Sequence, residues 1–319
     1  MTNISSILSN SGVEDVKNLY AEIMYPGIEA EPNYHLVSKL GKYMPGKERV
    51  LDAGCGTGHL LLGLALSFPA VSYVGLDISE PSLEVAQKLF KKHGVPLSLH
   101  TGDFATISFQ EKFDVIILNG TLMCHPEPIR ALQNLVSYLS VGGLIYLMVY
   151  GTRSNQERLE MKEMLHLLDP RDSRHRFALY VDYLTYMKKS LLYRVVDLSV
   201  LDIVHFMKRV SATVRGSFTR RGVRSPIRKL TEYNQFFRDA FDVPVEYAYD
   251  TWGIRELVEG AGLEILEHMG ITRENLSRLP PSWRESYAHL QPWEKARIME
   301  LLNPTPTSIS LILRKKNES

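Results

Sequence analysis

The sequence predicts an α/β protein: a doubly wound, mostly parallel seven-stranded sheet with a helical insertion after its fifth strand. Three observations carry that reading. Between residues 49 and 150, short apolar or β-branched runs alternate with amphipathic stretches of helical period, the pattern of right-handed βαβ units. Several of those runs end in an acid or an amide, at Asp77, Asp103 and Asn119. The alternation then stops from 151 to 250 and resumes to the end of the chain, and connections of that length inside a compact unit usually serve as lids or binding elements.

Taken in order, residues 13–24 read as a helix, with Val13, Val16, Leu19, Tyr20 and Ile23 near helical spacing, ended by Tyr25-Pro26-Gly27. A second helix is predicted over 34–43. Strand 49–54 runs into a turn with glycine at every second position, Gly54, Gly56 and Gly58, and then into an apolar helix over 59–68. Such a turn bends through positive φ and leaves bare backbone for a ligand, while the following helix N-terminus adds free N–H groups. It is not a dinucleotide fingerprint, since G-x-G-x-x-G would need a third glycine where His59 stands.

Strand 72–78 precedes a helix over 80–93, with Ser79 as N-cap, Pro81 in the first turn and Gly94 after the end. Strand 97–103 follows. The run 113–120 (FDVIILNG) is the most apolar, as befits a strand buried on both faces. A helix over 126–139, striped by Ile129, Leu132, Val136 and Leu139, is stopped by Gly142-Gly143 before strand 144–150. In the insertion, 157–168 reads as a helix striped by Met161, Met164, Leu165 and Leu168, and 177–210 as a tyrosine-rich helix. A helix over 252–261, a strand over 264–269, an irregular piece over 272–306 and a strand over 308–313 complete the chain. The expected organisation is an N-terminal helical cap (1–46), an α/β core (47–150 and 251–319) and the insertion (151–250).

Composition narrows the class. A 45% apolar content can build a core, and a net charge of +1 favours no charged partner, so charge has to be read locally. Cys55 and Cys124 give neither a disulfide framework nor metal-ligand spacing, and no metal is expected. No run approaches the roughly 18 apolar residues of a membrane span, and no basic segment opens an N-terminal signal. The expectation is a cytoplasmic protein without membrane partners.

The fragments VLDAGCGTG, VGLDIS, TGDF, FDVIILNG and VGGLIYLMVY, in that order, resemble the successive motifs of the class I S-adenosylmethionine-dependent methyltransferases, across 49–150 and 251–316. The resemblance implies a Rossmann-like methyltransferase fold with S-adenosylmethionine as cofactor. Asp52, Ala53, Gly54, Cys55 and Gly56, with the turn to Gly58, would hold its methionine part. Asp77 would accept both ribose hydroxyls, with Ile78 on the adenine. Gly102, Asp103 and Phe104 would take the adenine amino group and ring edge, and Asn119 and Gly120 would floor the site beside the sulfonium. The loop Asn119-Gly120-Thr121-Leu122-Met123-Cys124-His125-Pro126 lacks the acidic or Pro-Pro-Tyr-like motif of the nucleic-acid amine enzymes and is more similar to the small-molecule branch.

Methyl transfer from a sulfonium is an in-line displacement that needs alignment and dryness first, and a base only where the acceptor must lose a proton. His125 is the best-placed base in the sequence, followed by Tyr20, Tyr25 and His205; packing is the plainer reading of the tyrosines. The expected acceptor is a small organic molecule, aromatic or anionic, methylated on oxygen or nitrogen within a pocket made by the insertion. A second reading is an RNA. Lys208, Arg209, Arg215, Arg220, Arg221, Arg224, Arg228 and Lys229 form an acid-free stretch over 208–229 that would neutralise phosphates, or simply be a solvated face. A third is a protein that binds the cofactor and transfers nothing.

Overall fold

Strand β1 (Arg49–Ala53) lies at the middle of the sheet, where the chain reverses its direction of growth. In the computed structural model, which describes residues 12–29, 31–196, 233–269, 276–277, 279–302 and 308–316, the strand order is β3-β2-β1-β4-β5-β7-β6. β2 (Ser72–Asp77) and β3 (Ser98–Thr101) extend the sheet to one side, and β4 (Phe113–Asn119) and β5 (Leu139–Tyr150) to the other, all parallel. β7 (Ser308–Lys315) inserts antiparallel between β5 and β6 (Leu263–His268). The switch point between β1 and β4 opens a crevice beyond their carboxyl ends, where open α/β sheets bind ligands.

Alternate residues of each strand point to opposite faces, and each face has its own core. Leu51, Ile116, Leu118 and Leu147 join one core with α5 (Pro128–Ser137) and α9 (Thr251–Gly260). Val50, Val115, Ile117 and Tyr146 join the other with α2 (His35–Leu40), α3 (His59–Ser67) and α4 (Glu80–Lys92). Both faces are covered, which is why β4 reads as an unbroken apolar run. The N-terminal helix α1 (Val13–Ile23) packs on α4 and on the insertion, with Leu19 and Ile23 in the first core.

Three expectations need correction. The predicted 126–139 helix ends at Ser137, and Leu139 already belongs to β5. Gly142-Gly143 stops nothing: it lies within β5 where the register to β4 jumps from Phe113↔Leu139 to Val115↔Leu144, so the glycines serve a bulge. Ile129, placed on the buried stripe, is exposed. Second, strand 97–103 is shorter, and Asp103 stands on the loop after β3. Third, the insertion helix α6 (Thr152–Leu168) starts earlier than 157, and Met164 and Leu168 are exposed at 45% and 67%. Its buried face carries Asn155, Lys162 and His166 beside Leu159 and Leu165. A polar interior does not register in a count of apolar spacing.

The insertion continues with α7 (Ser173–Val196) and α8 (Gln235–Phe241). Phe237 and Phe241 stack against Tyr180 and Leu165 in a separate small core. His205, the basic stretch 208–229 and the rest of the predicted 177–210 helix lie outside the described residues. The piece 272–306, read as irregular, contains α10 (Arg284–His289) and α11 (Pro292–Leu302), the latter burying Trp293, Ala296 and Met299. Among the described residues, no helix is long and apolar enough to cross a membrane.

Candidate active site

β1 delivers the chain into the glycine turn, and the turn has no room for side chains. Gly54 takes φ +86°, and a Cβ there would stand 2.3 Å from the Thr121 side chain. Gly56 takes φ +53°, and its Cβ would stand 2.8 Å from the Tyr25 carbonyl oxygen. The turn is threaded between the loop after β4 and the segment after α1, with both N–H groups of Gly54 and Cys55 donating to the Leu76 carbonyl at 2.7 and 3.1 Å. Asp77, at the end of β2, completes the brace: its Oδ2 accepts from the Gly56 N–H at 2.7 Å and its Oδ1 from the Ser79 N–H at 2.9 Å. The Ile78 N–H also stabilises the ionised carboxyl, and the carboxylate still has acceptor capacity for a ligand.

A single cavity runs from this turn, past the ends of β2, β3 and β4, to the insertion. Most of the residues picked from the sequence line it: Asp52, Gly54, Cys55 and Gly56 from the turn, Asp77 and Ile78 after β2, Gly102, Asp103 and Phe104 after β3, and Asn119 and Gly120 after β4. Two do not. Ala53 is fully buried within β1, and Gly58 faces helix α4, where a Cβ would stand 3.0 Å from Ala86 and 3.2 Å from Phe90. Gly58 therefore serves the packing of α3 on α4 rather than a ligand.

The electrostatics of this cavity are lopsided. Five carboxylates line it (Asp52, Asp77, Asp103, Asp239 and Glu246), and no lysine or arginine does among the described residues. Asp52 is 3% exposed; burial, then the neighbouring Asp77, pushes its carboxyl up to about 7. Burial likewise raises Asp77, against the backbone N–H groups that stabilise its ionised form. His59, also on the wall, is lowered to about 4 by burial and stays neutral. The Asn119 Oδ1 is buried with no hydrogen-bond partner among the described residues. A buried polar atom left unsatisfied costs about 1–3 kcal/mol, so the cavity is built to receive donors and positive charge.

His125 cannot take the role of base suggested by its position. Its Nδ1 accepts the Glu127 backbone N–H at 3.0 Å. That fixes the proton on Nε2, which faces Asp103 Oδ1 at 2.8 Å. Neither nitrogen of the neutral ring keeps a free lone pair, and the residue is 6% exposed. His125, together with the Ala105 N–H at 2.8 Å, instead holds Asp103 through Oδ1, and no hydrogen bond to Oδ2 is seen among the described residues.

Tyr20 and Tyr25 both line the cavity. Burial, then the charge of Asp239, pushes the Tyr25 phenol up to about 12 and that of Tyr20 well above its ordinary value. At neutral pH they are donors, not bases, and Tyr20 donates to Asp239 Oδ1 at 2.9 Å.

The insertion supplies what the sequence reading missed, namely Asp239 on α8, Val243 and Glu246 after it, and, from the end of β5, Tyr150. Glu246 bonds Lys162 at 2.8 Å and also the Arg158 guanidinium, with which it forms a second, 3.2 Å contact. Among the described residues Asp239 has no such cation in contact, and burial pushes its carboxyl up to about 6 against the Tyr20 hydrogen bond. The signal was present as acids inside aromatic or apolar runs, FFRDAF and VPVEYAY. Among the described residues no cluster of His, Cys, Asp or Glu could hold a metal.

Residues 46–174 match a family model described as a methyltransferase domain. Over that stretch the chain is similar to the methyltransferases, and the comparisons support an S-adenosylmethionine-dependent methyltransferase. The family's fold is shared with PKMT2 from Rickettsia typhi in complex with AdoHcy, at a TM-score of 0.59 and 17% identity over 85% of this chain and 49% of that one. An uncharacterized protein of Synechococcus sp. is 27% identical over 84% of this chain and 60% of its own length. A malonyl-[acyl-carrier protein] O-methyltransferase of Bacillus cereus is 29% identical over 34% of this chain and 40% of its own. The chain thus spans 40–60% of the length of these proteins, less than two thirds of each, and the last likeness covers only 109 residues.

Proposed function

We propose that this chain moves a methyl group from S-adenosylmethionine to a nitrogen or oxygen of a small organic acceptor. The observation that carries the reading is the cavity wall: five carboxylates, an unpartnered Asn119 oxygen and no lysine or arginine among the described residues. S-adenosylmethionine brings an ammonium, a sulfonium, a ribose diol and an adenine amino group, the complement of that wall. When bound it supplies a methyl group already activated by the sulfonium.

The chain's own residues bind and align. Asp77 offers its remaining lone pairs to the diol, and Asp103 Oδ2 is free for the amino group. Ile78 and Phe104 offer apolar faces for the adenine, and Asp52 and Asn119 offer oxygen to the cationic end. α1, which carries Tyr20, and the insertion wall off the other half of the cavity, where an acceptor would be held away from water. Titration calorimetry with S-adenosylmethionine tests the reading; no measurable heat, or a ligand preference for an uncharged nucleoside, would sink it.

Binding should also be linked to protons. Burial and Asp77 hold the Asp52 carboxyl near 7, and an adjacent ammonium favours its ionised form. Binding therefore releases a proton: roughly half of one at pH 7 and close to none above pH 9. The sign follows from a pKa that is higher free than bound, so affinity rises with pH up to about 7 and levels off beyond. Calorimetry in buffers of different ionisation heat measures the release, and Asp52→Asn is expected to abolish it.

A further inference from the structure

We propose that the acceptor half of the cavity is an amine site, in which Asp239 anchors the acceptor's ammonium and then takes its proton. This rests on the reading above, that the cofactor fills the half between the glycine turn and Asp103. Asp239 reaches the cavity from α8. Among the described residues the one hydrogen bond to its carboxylate comes from the Tyr20 hydroxyl to Oδ1, leaving Oδ2 to a ligand.

The groups around Asp239 are Tyr20 of α1, Tyr25 after it, Cys124 in the loop after β4, Tyr150 of β5, Arg158 and Lys162 of α6, and Glu246 beyond α8. Both cations are already spent on Glu246, and Arg158 also donates to the Ala240 carbonyl at 2.6 Å. Arg238, next in sequence, is turned to Glu22 and Asp242. Asp239 is thus a carboxylate whose contacts are neutral, in a wall shared with three tyrosines, and aromatic faces attract cations.

Competing acceptors fit this wall less well. A carboxylate or phosphate would meet Asp239 and Glu246, with no lysine or arginine on the cavity wall among the described residues. A neutral alcohol would leave the charge of Asp239 uncompensated. An ammonium meets it. The chemistry then balances simply: the N–H bond breaks, the proton joins Asp239 Oδ2, and the electron pair stays on nitrogen as the nucleophile. Tyr20 holds Oδ1 throughout.

The test uses the full chain saturated with S-adenosylhomocysteine and three probes of one shape, phenethylammonium, 2-phenylethanol and phenylacetate, in calorimetry at pH 7.5. The ammonium is expected to bind at least tenfold tighter than the alcohol, with the carboxylate weakest. Lowering the pH from 7.5 to 5 should weaken the ammonium about tenfold, because Asp239 protonates near 6. Asp239→Asn should cost the ammonium at least tenfold and leave the alcohol's affinity where it was; circular dichroism and retained S-adenosylhomocysteine binding report its folding. The proposal is overturned if the alcohol or carboxylate binds as tightly as the ammonium. It is equally overturned if no probe binds, or if neither the pH change nor the substitution weakens the ammonium. Failure of the wild-type chain to bind S-adenosylhomocysteine, read before any probe is added, overturns the cofactor reading instead.

Discussion

Asp77→Ala is expected to weaken S-adenosylmethionine binding by about a hundredfold or more, with little change in thermal stability. Two losses add in the bound state. The carboxylate's remaining lone pairs no longer meet the ribose hydroxyls, and hydrogen bonds to a charged group contribute about 1.5–3 kcal/mol each. The Gly56 N–H, now without Oδ2 at 2.7 Å, is freed to reorient the turn that the ligand lies against. The fold itself loses the backbone hydrogen bonds from Gly56, Ile78 and Ser79 but sheds a charge that burial already disfavours, so the terms oppose one another. Asp77→Asn separates the two roles: it keeps an oxygen for one partner while turning an amide donor toward another. Its affinity should fall between those of wild type and alanine. A loss of less than about tenfold in Asp77→Ala, measured by calorimetry alongside a melting curve, would remove Asp77 from the site.

What the chain's pattern reveals is uneven for physical reasons. The strands of the core are buried on both faces, so β1, β2 and β4 read as apolar runs, and an acid or amide at the end of such a run stands out. Asp77 and Asn119 stand at such ends and line the cavity, whereas Asp103 follows the short, mostly exposed β3. His125 was also found, but its role depends on Glu127 and Asp103, and no spacing reports which ring nitrogen meets which partner. The two glycines at 142 and 143 marked a break correctly and its kind wrongly, since a bulge and a stop share the same residues. The insertion hides more. Its buried face is built from Lys162, His166 and Arg176 as well as apolar side chains, so neither the boundaries of α6 nor the importance of Glu246 could be taken from apolar periodicity. Asp239 lines the cavity from a helix whose other positions pack against aromatic rings, and one acid in such a run carries no spacing to measure.

Glu246→Ala is expected to be the most damaging single change in the insertion, costing about 3–5 kcal/mol, the usual loss when one partner of a buried ion pair is removed. The Glu246 side chain is 3% exposed and that of Lys162 8%. Truncation would leave Lys162 and Arg158 facing each other without a counter-charge. In the wild type, burial alone would raise the Glu246 carboxyl, but the charges of Lys162 and Arg158 outweigh it and hold the group below its ordinary value. A depressed carboxylate contributes stability above its unfolded pKa and loses it as pH falls through the folded one. The difference in melting temperature between wild type and Glu246→Ala should therefore be full at pH 7 and shrink below about pH 4. Replacing the set with apolar residues, as in Arg158→Met, Lys162→Met and Glu246→Leu together, should recover much of the stability. It should not recover the acceptor site. Arg158 lies 5.3 Å from the Tyr150 ring centre and holds the carbonyl of Ala240, the residue after Asp239, so the ion cluster fixes both the aromatic wall and the helix that presents the carboxylate. A variant as stable as wild type, with unchanged S-adenosylhomocysteine affinity but weakened phenethylammonium binding, would separate the cluster's part in positioning Asp239 from its part in holding the fold.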